Sequence, residues 1–422
     1  MNKKLTLKSM VTVIATIFFI GLIPGMVQAN GQAIDPKSPI QAKAALAVDA
    51  DTGQILYAKN DKQPLAIASI SKLMTVYIVH QRIAEHKLSW NTRVKIDSKL
   101  AKLSTGAELT NVPLVAGNSY TVKELVKAAL ISSANAAAIT LGNAVAGSPE
   151  QFNQVMQDTA RSMGINDAKF YNAAGLPNKL MGDLELKNVS PNAENMMSAQ
   201  SVGQIAAKLL KTFPSVTKIT SQTSYTFAGA QYEGHNELLG NDKVSPSIKV
   251  TGLKTGTSDK AGASFVSSAT NRHRRIVTVI LHARNTSPTD PARFIQTAKL
   301  LREVVANNRP MKLSSKATIA NAKTVFVKNA KDQTVKVGTL HSRWIWVPKQ
   351  SVKVTGKFVK KDKQLSAPIT VNSAVAKVNL LINGRKITYL SPKTATIALA
   401  PTKKVDKANV FVQMFRAVAN LF

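Results

Sequence analysis

The sequence predicts a mixed α/β domain, then a small all-β sandwich, then a terminal amphipathic helix. Three observations predict it. A hairpin pattern near the start and a group of strand-like runs near residue 250 flank a long helix-rich stretch, as in one mixed α/β domain carrying an insertion. Basic charge jumps after residue 309, where residues 310–422 carry 21 Lys+Arg against 3 acids, Asp332, Asp362 and Asp406. The last twenty residues repeat apolar side chains at helical spacing.

The elements follow in order. Lys3, Lys4 and Lys8 precede an apolar run from Val11 to Ile23, and Val27-Gln28-Ala29 offers a small residue before a cut. That pattern reads as a secretory signal peptide, residues 1–29, too short in its apolar part to span a bilayer comfortably. Ala44–Ala50 and Gln54–Ala58 read as a hairpin around Asp51-Thr52-Gly53. Ile70–Leu88, Val122–Val145, Ser198–Lys211 and Pro291–Asn307 read as helices. Ile248–Leu253, Ser264–Ala269 and Ile276–Ala283 read as strands, the last two joined at Asn271-Arg272-His273-Arg274. A boundary is expected at Asn307-Asn308-Arg309-Pro310, giving a first domain over 30–309 and a β domain over 310–400. Within the second, Thr324–Lys328, Thr334–Val337, Trp344–Val347, Val352–Val359, Ala374–Ile382 and Lys386–Leu390 read as strands. Trp344 and Trp346 alternate on one of them and read first as packing inside that domain. Over 401–422, Ala408, Phe411, Val412, Phe415, Val418, Ala419 and Phe422 share one helical face behind Lys403, Lys404 and Lys407. This is the pattern of a helix lying on an anionic membrane surface.

Composition narrows the chemistry. The 422 residues contain no cysteine, which excludes disulfides, thiolate catalysis and Cys-ligated metals. Six histidines without HExxH give zinc-protease chemistry little to build on. The net charge of +33 implies anionic surroundings. Export and the lack of a basic–aromatic platform argue against nucleic acid. No cofactor and no metal is expected.

Three short motifs carry the chemistry. Ser69-Ile70-Ser71-Lys72 opens a helix, so Ser69 and Lys72 share a face at i and i+3. A serine hydroxyl needs a base to take its proton, and a lysine serves only when burial or neighbouring positive charge depresses its pKa. Ser133-Ala134-Asn135 puts two polar groups in a run of small apolar residues, where they are poor choices for a plain helix. Lys254-Thr255-Gly256 ends a strand; its cation and hydroxyl suit a carboxylate, and its glycine lets a substrate backbone come close. Each motif alone is weak. Ser215-Val216-Thr217-Lys218 repeats the first, and Ser89-Trp90-Asn91 and Ser190-Pro191-Asn192 repeat the second.

Their order and spacing together resemble those of the penicillin-recognising serine enzymes. Within these the chain resembles the low-molecular-mass penicillin-binding proteins, D-alanyl-D-alanine carboxypeptidases of the Gram-positive type. The likeness rests on Ala66–Thr75 (AIASISKLMT), Ile131–Ala136 (ISSANA), Phe170–Pro177 (FYNAAGLP) and Thr251–Gly262 (TGLKTGTSDKAG). It implies a transpeptidase-like fold for the first domain. It also implies Ser69 as the acylated nucleophile, Lys72 as its base, Ser133 as a proton relay and Asn135 as a partner of Lys72 and of the substrate amide. Lys254, Thr255, Gly256, Thr257 and Arg293 would bind substrate, with the Ser69 and Thr257 N–H groups forming the oxyanion hole. Ala136, Ile67-Ala68 and Met197-Ser198-Ala199-Gln200 depart from the commonest family pattern.

The function implied is removal of terminal D-alanine from peptidoglycan pentapeptide stems, with β-lactams as covalent inhibitors and the membrane surface as a partner. Alternatives carried by the same residues are D,D-endopeptidase action on cross-links and a serine β-lactamase. The latter lacks a Glu-x-x-Leu-Asn match between Ser133 and Lys254. A wall-binding protein that kept the fold without its chemistry is a third reading.

Overall fold

The structure is a computed structural model and describes residues 40–240, 244–284, 290–359 and 364–419. The signal-peptide segment lies outside the described residues. A five-stranded antiparallel sheet organises the first part, in the order Ile55–Lys59, Ala42–Asp49, Arg274–Ala283, Ala263–Asn271, Lys249–Gly256. Its central strands are buried at nearly every position because both faces are covered. Leu46 and Val48 face one core, and Ala45 and Ala47 face the other, as strand alternation requires. The hairpin turn between Ala263–Asn271 and Arg274–Ala283 places Arg272 and His273 at positive φ (48° and 60°), as a two-residue turn matched to strand twist needs.

Nine helices lie among the described residues: α1 (Lys72–Ala84), α2 (Ser98–Ser104), α3 (Val122–Leu130), α4 (Asn135–Ala146), α5 (Pro149–Ser162), α6 (Ala199–Thr212), α7 (Thr217–Thr220), α8 (Ala292–Asn307) and α9 (Val410–Ala419). α1, α3, α4 and α6 pack over the Leu46 face, and α8 covers the other with Phe294, Leu301 and Val304. The helix read over Val122–Val145 is two helices. α3 opens on a Thr121/Glu124 capping box and stops at Leu130, and α4 starts at Asn135. Between them Ser133 sits at φ 62°. The helix read from Ile70 is a 3-10 turn, Ala68–Ser71, running into α1.

The junction at 307–310 is not a linker. α8 runs directly into the strand Asn308–Leu313, which pairs with Arg343–Pro348. The other strands of this β-rich part form a six-stranded antiparallel sheet over one core. Its strand Thr396–Pro401 has no counterpart in the sequence reading, and of Lys386–Leu390 only Lys386 is strand, in Arg385–Lys386. Trp346 does not pack within this part alone. It is fully buried against the α8 side of the main sheet, and its indole N–H donates to Asp49 Oδ2 at 2.7 Å. Asp49 also pairs with Arg274 at 2.7 Å, and Gln54 exchanges two 2.8 Å hydrogen bonds with the Trp346 backbone. A buried polar network thus joins the two parts, and the Arg274 guanidinium lies over the Trp344 ring.

The terminal helix starts at Val410 rather than near Lys403. Residues before it are held as β-bridges, Ile369 to Val405 and Ala330 to Lys407. Phe411 is 83% exposed and Phe415 75%, while Arg416 donates to the carbonyls of Ala330 and Lys331 at 2.7 and 3.0 Å. No helix of the described residues is long and apolar enough to cross a membrane.

His80 on α1 gives a stability test. It is 4% exposed, stacked on Phe213 and edge-on to Trp90, and its Nε2 has no partner. Burial pushes it down to about 4. Folding therefore disfavours the imidazolium. The stability this neutral ring permits is present above the unfolded pKa near 6.5 and drains as pH falls toward 4, by up to about 3 kcal/mol. Urea unfolding of wild type against His80→Phe at pH 7.5 and 4.5 checks this: the variant should lose less on acidification, and parallel losses would refute it.

Candidate active site

The Ser69-Ile70-Ser71-Lys72 motif is placed by a strained turn. Ala68 stands at φ 44°, immediately before Ser69 on the 3-10 turn. Ser71 Oγ donates to Ala68 O at 2.7 Å and holds that turn closed. Lys72, the first residue of α1, is fully buried. Its Nζ lies 2.6 Å from Ser69 Oγ, 2.8 Å from Asn135 Oδ1 and 3.2 Å from Ala174 O. A buried lysine with three oxygen partners has a fixed amine position, which is what a proton acceptor for Ser69 requires.

Asn135 is itself held. Its Nδ2 and its backbone N–H both donate to Thr110 O, at 2.9 and 3.0 Å, and Ala136 N–H is taken by Asn111 Oδ1 at 2.8 Å. Asn111 thus satisfies a helix-start N–H at the position where this chain has Ala136. Ala174 is held by Asn172, whose Oδ1 accepts from the N–H groups of Ala174, Gly175 and Leu176. Gly175 is required here: at φ 82°, a Cβ would lie 1.9 Å from Ala68 O. The edge strand Lys249–Gly256 closes the other wall. A Cβ on Gly256 would lie 2.6 Å from Ile67 O, so only glycine lets this strand meet the turn that carries Ser69.

Ser69, Ser133, Thr255, Gly256, Thr257 and Arg293 line one cleft of about 380 Å³. Arg293 on α8 donates to Gly256 O at 3.2 Å and Thr257 Oγ1 at 2.7 Å. Lys254 is 2% exposed and its Nζ donates to Thr255 O at 3.0 Å. A larger hollow of about 740 Å³ near Lys99 and Glu185 contains none of the motif residues. The sequence decoys fall elsewhere: Ser215, Ser89 and Ser190 lie outside the cleft, and Ser215 is exposed.

The cations set the electrostatics. Burial, then the charge of Lys254, pulls Lys72 well below the ordinary lysine value. Burial, then Arg293, brings Lys254 down to about 7. Lys72 is thereby suited to hold a free amine beside a serine hydroxyl. The sequence reading missed Thr110, Asn111, Asn172, the Ala174 carbonyl and His235, which also lines the cleft. Only Asn172 and Ala174 had a signal, inside the quoted FYNAAGLP stretch.

Residues 30–285 match the pattern of the D-alanyl-D-alanine carboxypeptidase family, peptidase S11. The chain belongs to this family. Residues 310–407 match the C-terminal domain of penicillin-binding protein 5. The carboxypeptidase is 26% identical over 380 residues to D-alanyl-D-alanine carboxypeptidase DacD of Salmonella typhimurium, covering 89% of this chain and 90% of that one. Among solved structures it resembles a peptidoglycan synthesis regulatory factor (PBP3) of Streptococcus pneumoniae, with 32% identity, a TM-score of 0.70 and coverage of 87% and 100%. Penicillin-binding protein 5 of Haemophilus influenzae gives 25% identity and the same TM-score, over 88% and 99%. The carboxypeptidase is thus a serine-type D-Ala-D-Ala hydrolase of the low-molecular-mass penicillin-binding class. The likeness to an Escherichia coli D-alanyl-D-alanine endopeptidase is weaker, at 24% over 300 residues.

Proposed function

We propose that the cleft removes the terminal D-alanine of peptidoglycan pentapeptide stems through an ester on Ser69. The observation that carries this reading is the fully buried Lys72 amine 2.6 Å from Ser69 Oγ. Lys72 takes the Ser69 proton as Oγ attacks the penultimate D-alanine carbonyl carbon. The carbonyl oxygen becomes an oxyanion held by the Ser69 and Thr257 N–H groups. Ser133 relays that proton from Lys72 to the leaving nitrogen and keeps its own hydroxyl, the C–N bond breaks, and D-alanine departs. Water then splits the ester and restores the serine hydroxyl. Asn135 fixes Lys72 and receives the substrate amide. Lys254, Thr255 and Arg293 attract the terminal carboxylate, with Gly256 leaving room for the substrate backbone. The reading is tested by incubating the protein with fluorescent penicillin and mapping the adduct by peptide mass. A long-lived adduct on Ser69 together with D-alanine release from pentapeptide supports it; an adduct elsewhere, or none, refutes it.

β-Lactams fit as covalent inhibitors. A 27% identical Listeria monocytogenes penicillin-binding protein has been solved in an ampicillin-bound form. Rapid penicillin turnover would favour the β-lactamase reading instead. The signal-peptide pattern and the basic charge support export to the outer face of a Gram-positive membrane and wall.

α9 is proposed as the membrane contact. Arg416 ties it to the β-rich part while Phe411 and Phe415 stay exposed. Phe411→Ser with Phe415→Ser should weaken sedimentation with phosphatidylglycerol vesicles by about tenfold or more, since each buried phenylalanine is worth about 1.5–3 kcal/mol. Unchanged sedimentation would refute it.

A further inference from the structure

We infer that Tyr225 is a positioning residue for the acyl-transfer reaction, gripping Ser132 so that the neighbouring Ser133 keeps its place in the cleft, with His235 closing the grip from the rim. The inference rests on the reading of Ser133 as the proton relay.

Ser133 needs such support. It sits at φ 62°, a left-handed conformation that costs a serine energy and persists only where surroundings over-determine it. The four residues between α3 and α4 make no regular structure of their own. Ser132 is 5% exposed and is held on two atoms. Its Oγ donates to Ala128 O at 3.1 Å and lies 2.7 Å from the Tyr225 hydroxyl. Because the serine proton goes to Ala128 O, the tyrosine is the donor in the second bond. Burial pushes the Tyr225 phenol up to about 12, so that donor is present throughout the working pH range. The Ser132 carbonyl lies 3.2 Å from His235 Nε2. A carbonyl only accepts, so Nε2 carries the proton.

Both gripping residues come from one piece of chain. Tyr225 is on the strand Ser224–Phe227, which turns back as Ala230–Glu233, two residues before His235. The hairpin is seated on the α3 side by Phe227, stacked on Tyr120 with ring centroids 5.0 Å apart. The hairpin therefore references the Ser132-Ser133 turn to the helix before it. It does so without touching Ser69 or Lys72 through any of these bonds.

Full-length Tyr225→Phe, Ser132→Ala, the double variant, His235→Leu and His235→Gln are compared for D-alanine release from pentapeptide. Tyr225→Phe keeps the ring and drops only the hydroxyl. Its kcat should fall roughly 10–10²-fold with KM within about twofold, because small misplacements of a catalytic group cost that much. Ser132→Ala and the double variant should fall to the same level, the non-additivity expected of two ends of one bond. His235→Gln should recover most of the rate lost in His235→Leu, since an amide N–H replaces the ring N–H. Unchanged kcat in Tyr225→Phe, multiplicative losses in the double variant, or a Gln variant as slow as Leu would each overturn the inference. Should His235→Leu fail to fold, the Tyr225 and Ser132 variants decide alone. Penicillin labelling of Ser69 in wild type separates failure of the underlying reading from failure of this one.

Discussion

Ser69→Ala is expected to lower D-alanine release by roughly 10⁴-fold or more and to abolish penicillin labelling, as loss of the nucleophile does in serine hydrolases generally. Alanine removes one oxygen from a turn that other groups hold. Ala68 O is fixed by Ser71 Oγ, and Lys72 keeps its bonds to Asn135 and Ala174 O. The folded state should therefore be retained, so the loss reads as chemistry. Losing the 2.6 Å Ser69 contact leaves the Lys72 amine with two oxygen partners, enough for a buried amine. The control is Ser215→Ala in the second SxxK copy. Ser215 lies on an exposed 3-10 turn, and its loss should leave kcat and labelling unchanged. Labelling that survives Ser69→Ala would remove the nucleophile assignment; labelling lost in Ser215→Ala would move it.

The three motifs were legible in the sequence because each uses residue types that its local structure does not otherwise want. The polar pair at Ser133 and Asn135 in an alanine-rich run is one case, and the glycine of Lys254-Thr255-Gly256 in a buried strand is another. The break that exposes Ser133 was not legible. No glycine or proline marks the break at 131–134, and the interruption is imposed by Thr110 O and Asn111 Oδ1, which capture the first N–H groups of α4 from 25 residues away. Tertiary bonds override propensity there. The same holds for the Ala174 carbonyl, which has no side-chain signature and reaches Lys72 only because Asn172 gathers three N–H groups around a positive-φ glycine.

The fold shows the same division. The central strands at Ala42–Asp49 and Arg274–Ala283 were legible because burial on both faces favours largely apolar runs in them. The strand Asn308–Leu313 was not, since Pro310 and Lys312 interrupt its pattern and its partner is Arg343–Pro348, some thirty-five residues on. Trp346 read as packing within the β part because strand alternation says nothing of what lies across a face. Asp49 and Gln54, nearly 300 residues earlier, supply the answer. The start of α9 was misplaced for a related reason. Lys403–Lys407 are compatible with a helix, but bridges to Ala330 and Ile369 hold that segment extended until Asn409, whose side chain accepts from Val412 N–H.

Lys72→Arg is expected to cost acylation about 10²–10⁴-fold, the range general-base catalysis supplies. Arginine keeps a positive charge at the position but does not give up its proton in a protein. A rate that survives it would mean that the charge, and not a free amine, serves Ser69. The pH profile of wild type gives an independent test that does not depend on a buried substitution folding. Burial and Lys254 hold Lys72 well below the ordinary lysine value. Activity should rise with pH as the Lys72 ammonium loses its proton, and fall again as Lys254, brought down to about 7, loses the charge that attracts the substrate carboxylate. The two lysines interact, so the limbs belong to the pair. kcat/KM reports the free enzyme and should carry the alkaline limb near 7. kcat reports the complex, where the carboxylate favours the charged form of Lys254 and moves that limb to higher pH. Lys254→Gln should lower kcat/KM and erase the alkaline limb while leaving an acid limb. If the acid limb vanished with Lys254 instead, the roles of the two lysines would have to be exchanged.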